Sequence, residues 1–229
     1  MMAPLPALTT LLDRAPAPPL PLPAELVGAF GGALGFPAPA GRPYVLANFV
    51  TTLDGVVSYA IPGQADGGPI SGHNAPDQFV MGLLRACAGA VVAGTDTLTA
   101  SPGALWTPAA ICPAAAGTYA DLRQGLGLPP QPASLVVTGH GDLDYDAALF
   151  QNPDIPVYIV TTEEGAQHLA TAGRLPAHVR VRPVAPAGTI APPPSSPWRP
   201  RSAPAGCSWR GDPTCSAPFS PRARSTSSS

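Results

Sequence analysis

Lysine is absent from this chain: all 12 basic residues are arginine. Charge of either sign is sparse, at 11% of residues, and a formal net charge of -2 offers no field to draw in nucleic acid or an anionic membrane. Cysteine is scarce too. The four, Cys87, Cys112, Cys207 and Cys215, include no CxxC pair, and Cys207 and Cys215 have no His or Cys at zinc-ligand spacing. That argues against a metal knuckle and leaves the metal expectation at none. Cys87 lies in an apolar helical run, where a thiol behaves as a small hydrophobe. No apolar run reaches the length of a membrane span. The opening "MMAPLPALTTLLDRAPAPPLPLP" lacks a basic n-region and is broken by prolines, so no signal peptide is expected. A cytoplasmic protein with reduced thiols follows as the expectation.

Proline, by contrast, is abundant, with 33 residues. Arg, Pro, Ala and Gly all have G/C-rich codons, so the missing lysine reflects base composition rather than a chemical demand. A length of 229 residues suits one domain, or a domain with tails. Three zones follow from the pattern. Residues 1–40 read as a Pro/Ala-rich lead-in, with a helical turn or two around "AELVGAF". Residues 41–190 carry regular periodicity. Residues 191–229, rich in Pro, Ser and Arg, have the composition of a disordered tail.

In the middle zone, short apolar runs predict buried strands: "YVLANFV" (44–50), "AVVAG" (90–94), "SLVVT" (134–138), "VYIVTT" (157–162) and "VRVRPV" (179–184). Between them lie helical patterns. In "PDQFVMGLLRACA" an apolar stripe runs through Phe79, Leu83, Leu84 and Cys87, with Asn74 as N-cap and Pro76 and Asp77 in the first turn. "TYADLRQGL" and "EEGAQHLATAG" are weaker helices; Glu163 and Glu164 suit an N-terminal turn and Gly173 a C-terminal one. This alternation predicts a mainly parallel α/β sheet, whose ligands sit beyond the carboxyl ends of the strands.

Those ends are small and hydroxyl-bearing. "TTLDG" (Thr51 to Gly55) follows the first strand, and Asp54 either meets a polar ligand or simply makes the turn with Gly55. After "AVVAG", Gly94 lets a ligand approach the backbone, and Thr95 and Thr97 offer hydroxyls and amides suited to phosphate. Thr138 and Gly139 follow the next strand; Thr161 and Thr162 close the one after. Four such tips in a row suggest the floor of a groove for an extended, phosphate-bearing molecule. Arg85 either snorkels to solvent or aims its guanidinium at an anion. The four histidines, His73, His140, His168 and His178, are dispersed and read as structural or exposed.

In order, "RPYVLANFVTTLDGVVS", "ISG", "LLRACAGAVVAGTDTL" and Pro102 resemble the riboflavin-biosynthesis pyrimidine reductase family, over roughly residues 42–185. This is the reductase half of bifunctional deaminase-reductases. The resemblance implies a dihydrofolate-reductase-like three-layer fold. It also implies NADPH-dependent reduction of 5-amino-6-(5-phosphoribosylamino)uracil, a small-molecule substrate, by an enzyme whose relatives are commonly homodimers. Carried over, Thr97 is the cofactor-binding threonine, Val50 and Thr51 meet the nicotinamide region, and Thr138 or Gly139 makes a further cofactor contact. Arg85 is the arginine on the substrate, joined by the motif residues Asp54 and Ser71. Two departures stand out: Ser101 replaces the family's cofactor-contacting Asp, and "GALWTP" after Pro102 lacks its substrate-side arginine. No catalytic acid or base is assigned.

The family should continue with a strand "LLVEGGP" and a closing "GLVDEL" segment. Neither is written here. Yet back-translating "GCSWRGDPTCSAPFSPRARSTSS" with G/C-rich codons and reading from each third base permits LLVEGGPDLLGAFLAAGPVDELF. The sequence-based expectation is a frameshift near residue 190. It leaves a reductase domain incomplete at its C-terminus, with exposed sheet edge and weakened NADPH binding. Two alternatives accompany it: a dihydrofolate-reductase-like enzyme acting on another substrate, and a non-catalytic interaction protein with a proline-rich head and an arginine-rich tail.

Overall fold

The computed structural model describes residues 7–13, 17–59, 67–188, 190 and 215–217. In chain order these form α1 (Ala24–Phe30), β1 (Leu46–Ala47), α2 (Gly68–Ser71), α3 (Ala75–Cys87), β2 (Ala90–Gly94), α4 (Thr95–Ala100) and α5 (Pro108–Ile111). A 3-10 turn (Pro113–Ala115) leads into α6 (Ala116–Gly125), β3 (Ala133–Val137), α7 (Ala148–Gln151), β4 (Val157–Thr162), α8 (Glu163–Ala172), β5 (Arg180–Ala185) and β6 (Cys215–Ala217). The sheet order is β1-β6-β2-β3-β4-β5, with β2 to β5 parallel and β6 antiparallel to both its neighbours. The expected mixed α/β fold, a four-stranded parallel sheet flanked by helices, is what forms.

Buried residues alternate along β3 and β4 as a pleat requires. Val91, Ala93, Val136, Val157 and Ile159 pack with Leu98, Trp106, Leu149, Phe150 and Leu169 in one core. A second core contains no strand residue. Leu26, Phe79, Leu83, Ala86, Tyr119 and Leu122 close it between α1, α3 and α6. α3 starts where the pattern predicted: the Asn74 side chain accepts from the Asp77 amide at 3.1 Å. α8 likewise ends at Gly173, in the left-handed conformation that favours glycine.

Within the Pro/Ala-rich lead-in, the helix expected around "AELVGAF" forms as α1, and the described part of this segment packs against the domain. Leu26 is fully buried; Leu8, Leu22, Phe30 and Leu34 pack around the same core. The Leu8 amide donates to Ala29 at 2.8 Å and the Leu20 amide to Leu34 at 2.7 Å, so the described arm doubles back on itself. Thr118 on α6 donates to the Glu25 carboxylate at 2.8 Å across 93 residues of sequence. Proline-rich composition signalled only that no long helix could form there; tertiary burial orders the arm.

The first strand is also shorter than expected: among the described residues, Leu46 and Ala47 of 44–50 pair, with Ser216 and Cys215 of β6. Val45, Phe49, Leu53 and Tyr59 are exposed along this stretch. Of the tail, Cys215–Ala217 form β6; the rest of the expected disordered segment, and of the frameshifted string, lies outside the described residues.

The second core holds two acidic groups in their neutral forms. Burial pushes the Cys87 thiol up to about 12, opposed by the nearby Arg123 charge. Burial, reinforced by a hydrogen bond with Cys112, also raises the Tyr119 phenol, which donates to the Phe79 carbonyl at 2.7 Å. A raised native pKa contributes stability that is fully present below the unfolded value and is lost as pH climbs toward the folded one. Unfolding free energy is therefore expected to be flat up to about pH 8, then to fall by ~1 kcal/mol per pH unit as the unfolded chain alone ionises. Urea titrations at pH 8 and pH 10.5 measure this, and Cys87→Ala should flatten the first part of the decline.

Candidate functional site at the carboxyl rim

Register fixes which tips share an edge. Gly94 stands beside Val137, Val137 beside Val160, and the Thr138 amide donates to the Val160 carbonyl at 3.0 Å. Ala47 is level with Val92 through Cys215, and β1 and β2, both antiparallel to β6, run toward the same edge, with Val50 three residues past Ala47. A side chain on Gly67, at the start of α2, would touch Val50 at 2.9 Å. Thus Val50, Thr51, Gly94, Thr95, Thr138 and Thr161 line one rim, with Ser71 on the adjoining helix α2.

Among the described residues, the β2 tip is left open. A Cβ built on Gly94 meets nothing within 4 Å, and no side chain caps α4, where Thr95 and Thr97 are half-buried. Residues 95–100, which the sequence presents as a strand-tip loop, form α4 because Leu98 anchors the turn in the core and Asp96 suits its N-terminus. Ser101 follows as the C-cap, its amide on the Thr97 carbonyl at 3.2 Å. Asp96, in the first turn of α4, places a negative charge beside this tip.

The β3 and β4 tips use their hydroxyls internally. Thr138 accepts from the Gly141 amide at 3.1 Å. Thr162 donates to the Gly139 carbonyl at 2.7 Å and caps α8 by accepting from Gly165 at 2.9 Å. Thr161 and Thr162 are fully buried, and the Thr161 hydroxyl has no partner among the described residues. A ligand at this end meets Gly139 and the backbone rather than these side chains. The packing depends on Gly165: an added Cβ would lie 2.8 Å from the Gly139 carbonyl oxygen and closer still to Thr161. Gly165→Ala is expected to cost ~2 kcal/mol by overpacking, measured by chemical denaturation against Ala166→Ser.

Asp54 takes the turn-making role. Its carboxylate accepts from the Thr52 hydroxyl, Val56 donates to the same hydroxyl at 2.9 Å, and Gly55 has φ 88°. Ser71 donates to the Gly68 carbonyl at 3.2 Å and also approaches Asp77. Burial raises the Asp77 carboxyl and the Ser71 hydrogen bond opposes it. The sequence marked Asp77 only as a first-turn helix residue, since nothing local reveals that α2 folds back over it.

Arg85 does not reach this rim by its backbone. It sits in the last turn of α3, next to the amino end of β2, with a strand length of about 13 Å between Ala90 and Gly94. It is also not a snorkelling residue: only 6% of its surface is exposed, and burial lowers its guanidinium to about 10, still charged at neutral pH. The ion pairs among the described residues, His168–Asp142 and Arg174–Asp146, both exclude it. A buried cation without a counter-charge costs several kcal/mol, which a bound anion would offset.

Residues 43–186, well over half of the chain, match the family model of the RibD C-terminal domain. The chain belongs to this family. No curated protein matches it. RibD C-terminal domains are of the riboflavin-biosynthesis reductase type, which accords with the flanked parallel sheet and with a small-molecule rather than a polymeric substrate. The matched region begins after the N-terminal arm and ends just past β5, so α1 lies outside it. No helix among the described residues is long and apolar enough to cross a membrane, and no cluster of three metal-ligating side chains occurs among them.

Proposed function

We propose that this chain carries the NADPH-dependent 5-amino-6-(5-phosphoribosylamino)uracil reductase activity of riboflavin biosynthesis. The observation that supports it best is the family match across 43–186 together with the open β2 tip at Gly94. Gly94, Thr95, Thr97 and Ser101 would hold the phosphate-bearing part of NADPH, Val50 and Thr51 its nicotinamide end, and Gly139 with the backbone of Thr138, Thr161 and Thr162 the floor between. NADPH supplies a hydride when bound. The protein's own contribution is positioning and electrostatics rather than a nucleophile: Arg85 neutralises substrate phosphate and Ser71 meets its polar edges, while Asp54 shapes the turn that follows the first strand. The protein would work in the cytoplasm; relatives are commonly homodimers through C-terminal strands that the written tail does not supply, so dimer assembly is not expected of the chain as written.

The written tail is out of frame in this reading, so the chain as written binds NADPH weakly. Restoring the frame near residue 190 is expected to tighten NADPH binding at least tenfold, about 1.4 kcal/mol, in a fluorescence titration. Turnover of the aminopyrimidine substrate by the restored chain then supports the activity. A restored chain that folds and binds no nicotinamide nucleotide overturns the reading and favours an interaction protein. The missing arginine after Pro102 favours a second reading, a related reductase with another substrate; binding of NADPH without turnover of the aminopyrimidine selects it. Resequencing the locus and finding the written frame intact would remove the frameshift.

A further inference from the structure

Arg123, on α6, is among the most deeply buried large side chains, with 2% of its surface exposed. Its Nη1 donates to the carbonyls of Arg85 at 3.2 Å, Ala86 at 3.1 Å and Ala88 at 2.8 Å. Its Nε donates to those of Pro129 at 2.8 Å and Pro130 at 3.0 Å. One guanidinium therefore ties the end of α3 to the segment that enters β3. The last carbonyls of a helix lack intrahelical partners, and that end carries roughly half a negative charge. Arg123 meets both needs without a carboxylate.

Arg85 lies in the turn so capped. Without Arg123 the last turn, which carries the Arg85 backbone, would be free to fray, and its terminal partial charge would stand uncompensated within one turn of Arg85. The neighbouring Cys87 thiol and Tyr119 phenol stay neutral near pH 7 and add no opposing charge.

We infer that Arg123 is a positioning residue: it holds the last turn of α3 and cancels its terminal charge, so that Arg85 can bind the phosphate of a sugar-phosphate substrate. This rests on the reading of Arg85 as a phosphate contact. Arg123 itself touches no substrate.

The test compares ribose 5-phosphate with ribose, in NMR titrations of the full chain at pH 7.5. The chain should prefer ribose 5-phosphate. Arg85→Met should abolish that preference. Arg123→Met should reduce the preference about tenfold, because a small misplacement of a binding group is felt strongly. Arg123→Lys keeps the positive charge and is the milder variant if Met prevents folding; it should reduce the preference by a smaller factor. A purely structural role would lower thermal stability while leaving the ratio between the two sugars unchanged among folded molecules. That result in either Arg123 variant overturns the inference. If Arg85→Met keeps the preference, or the unmodified chain shows none, the reading of Arg85 fails and this inference goes with it.

Discussion

Arg123→Met lowers the free energy of unfolding by ~3–5 kcal/mol, read as a shift in the urea midpoint at constant m-value. The substitution keeps apolar bulk but removes five hydrogen bonds to main-chain carbonyls, three of them at the end of α3. Each buried carbonyl left without a donor costs about 1–3 kcal/mol. Against this stands the relief of a desolvated charge, since burial already lowers the Arg123 guanidinium to about 10. The loss dominates because no carboxylate is stranded, whereas the Ala86, Ala88, Pro129 and Pro130 carbonyls lose this donor; the Arg85 carbonyl keeps the Ala88 amide at 3.2 Å. Arg123→Lys should recover part of the stability, as an ammonium can reach some of the same oxygens but lacks the planar fork. A change below ~0.5 kcal/mol for the Met variant would mean that the cap does not hold these elements together.

Leu26→Ala is expected to cost ~3 kcal/mol, while Val27→Ala, one residue away, costs less than ~1 kcal/mol. Leu26 is fully buried among Phe79, Leu83, Tyr119 and Leu122, whereas Val27 is 43% exposed. Truncating Leu26 removes transfer free energy and leaves a cavity between α1 and α3 that the rigid helix pair cannot fill. The contrast tests the docking of an arm that lies outside the family-matched region. Equal and small effects of the two substitutions would show that α1 does not rest on the second core in solution.

Long apolar runs were legible almost to the residue. β2 and β4 coincide with "AVVAG" and "VYIVTT", and α3 begins at its Asn74 cap, because burial on a pleat or a helix face leaves a period in the sequence. The four-residue helices α2, α5 and α7 were not legible, being shorter than any window in which a period can be counted. At the site, the clustering of Gly94, Thr138 and Thr161 followed from strand order alone. Whether each hydroxyl is free did not. Thr162 reads as a ligand in sequence and as a helix cap in space, because a hydroxyl bonds to whichever amide and carbonyl the fold packs against the strand tip.

By itself, the sequence determined the alternation of strand and helix, the parallel sheet and the family, since each of these is written in spacing along the chain. Tertiary structure alone decided that the proline-rich arm belongs to the core, that Arg85 is buried, and that Arg123 caps α3 from 35 residues away. The reason is physical. Period and propensity act between neighbours in sequence, whereas burial and charge are set by the groups that the folded chain brings alongside.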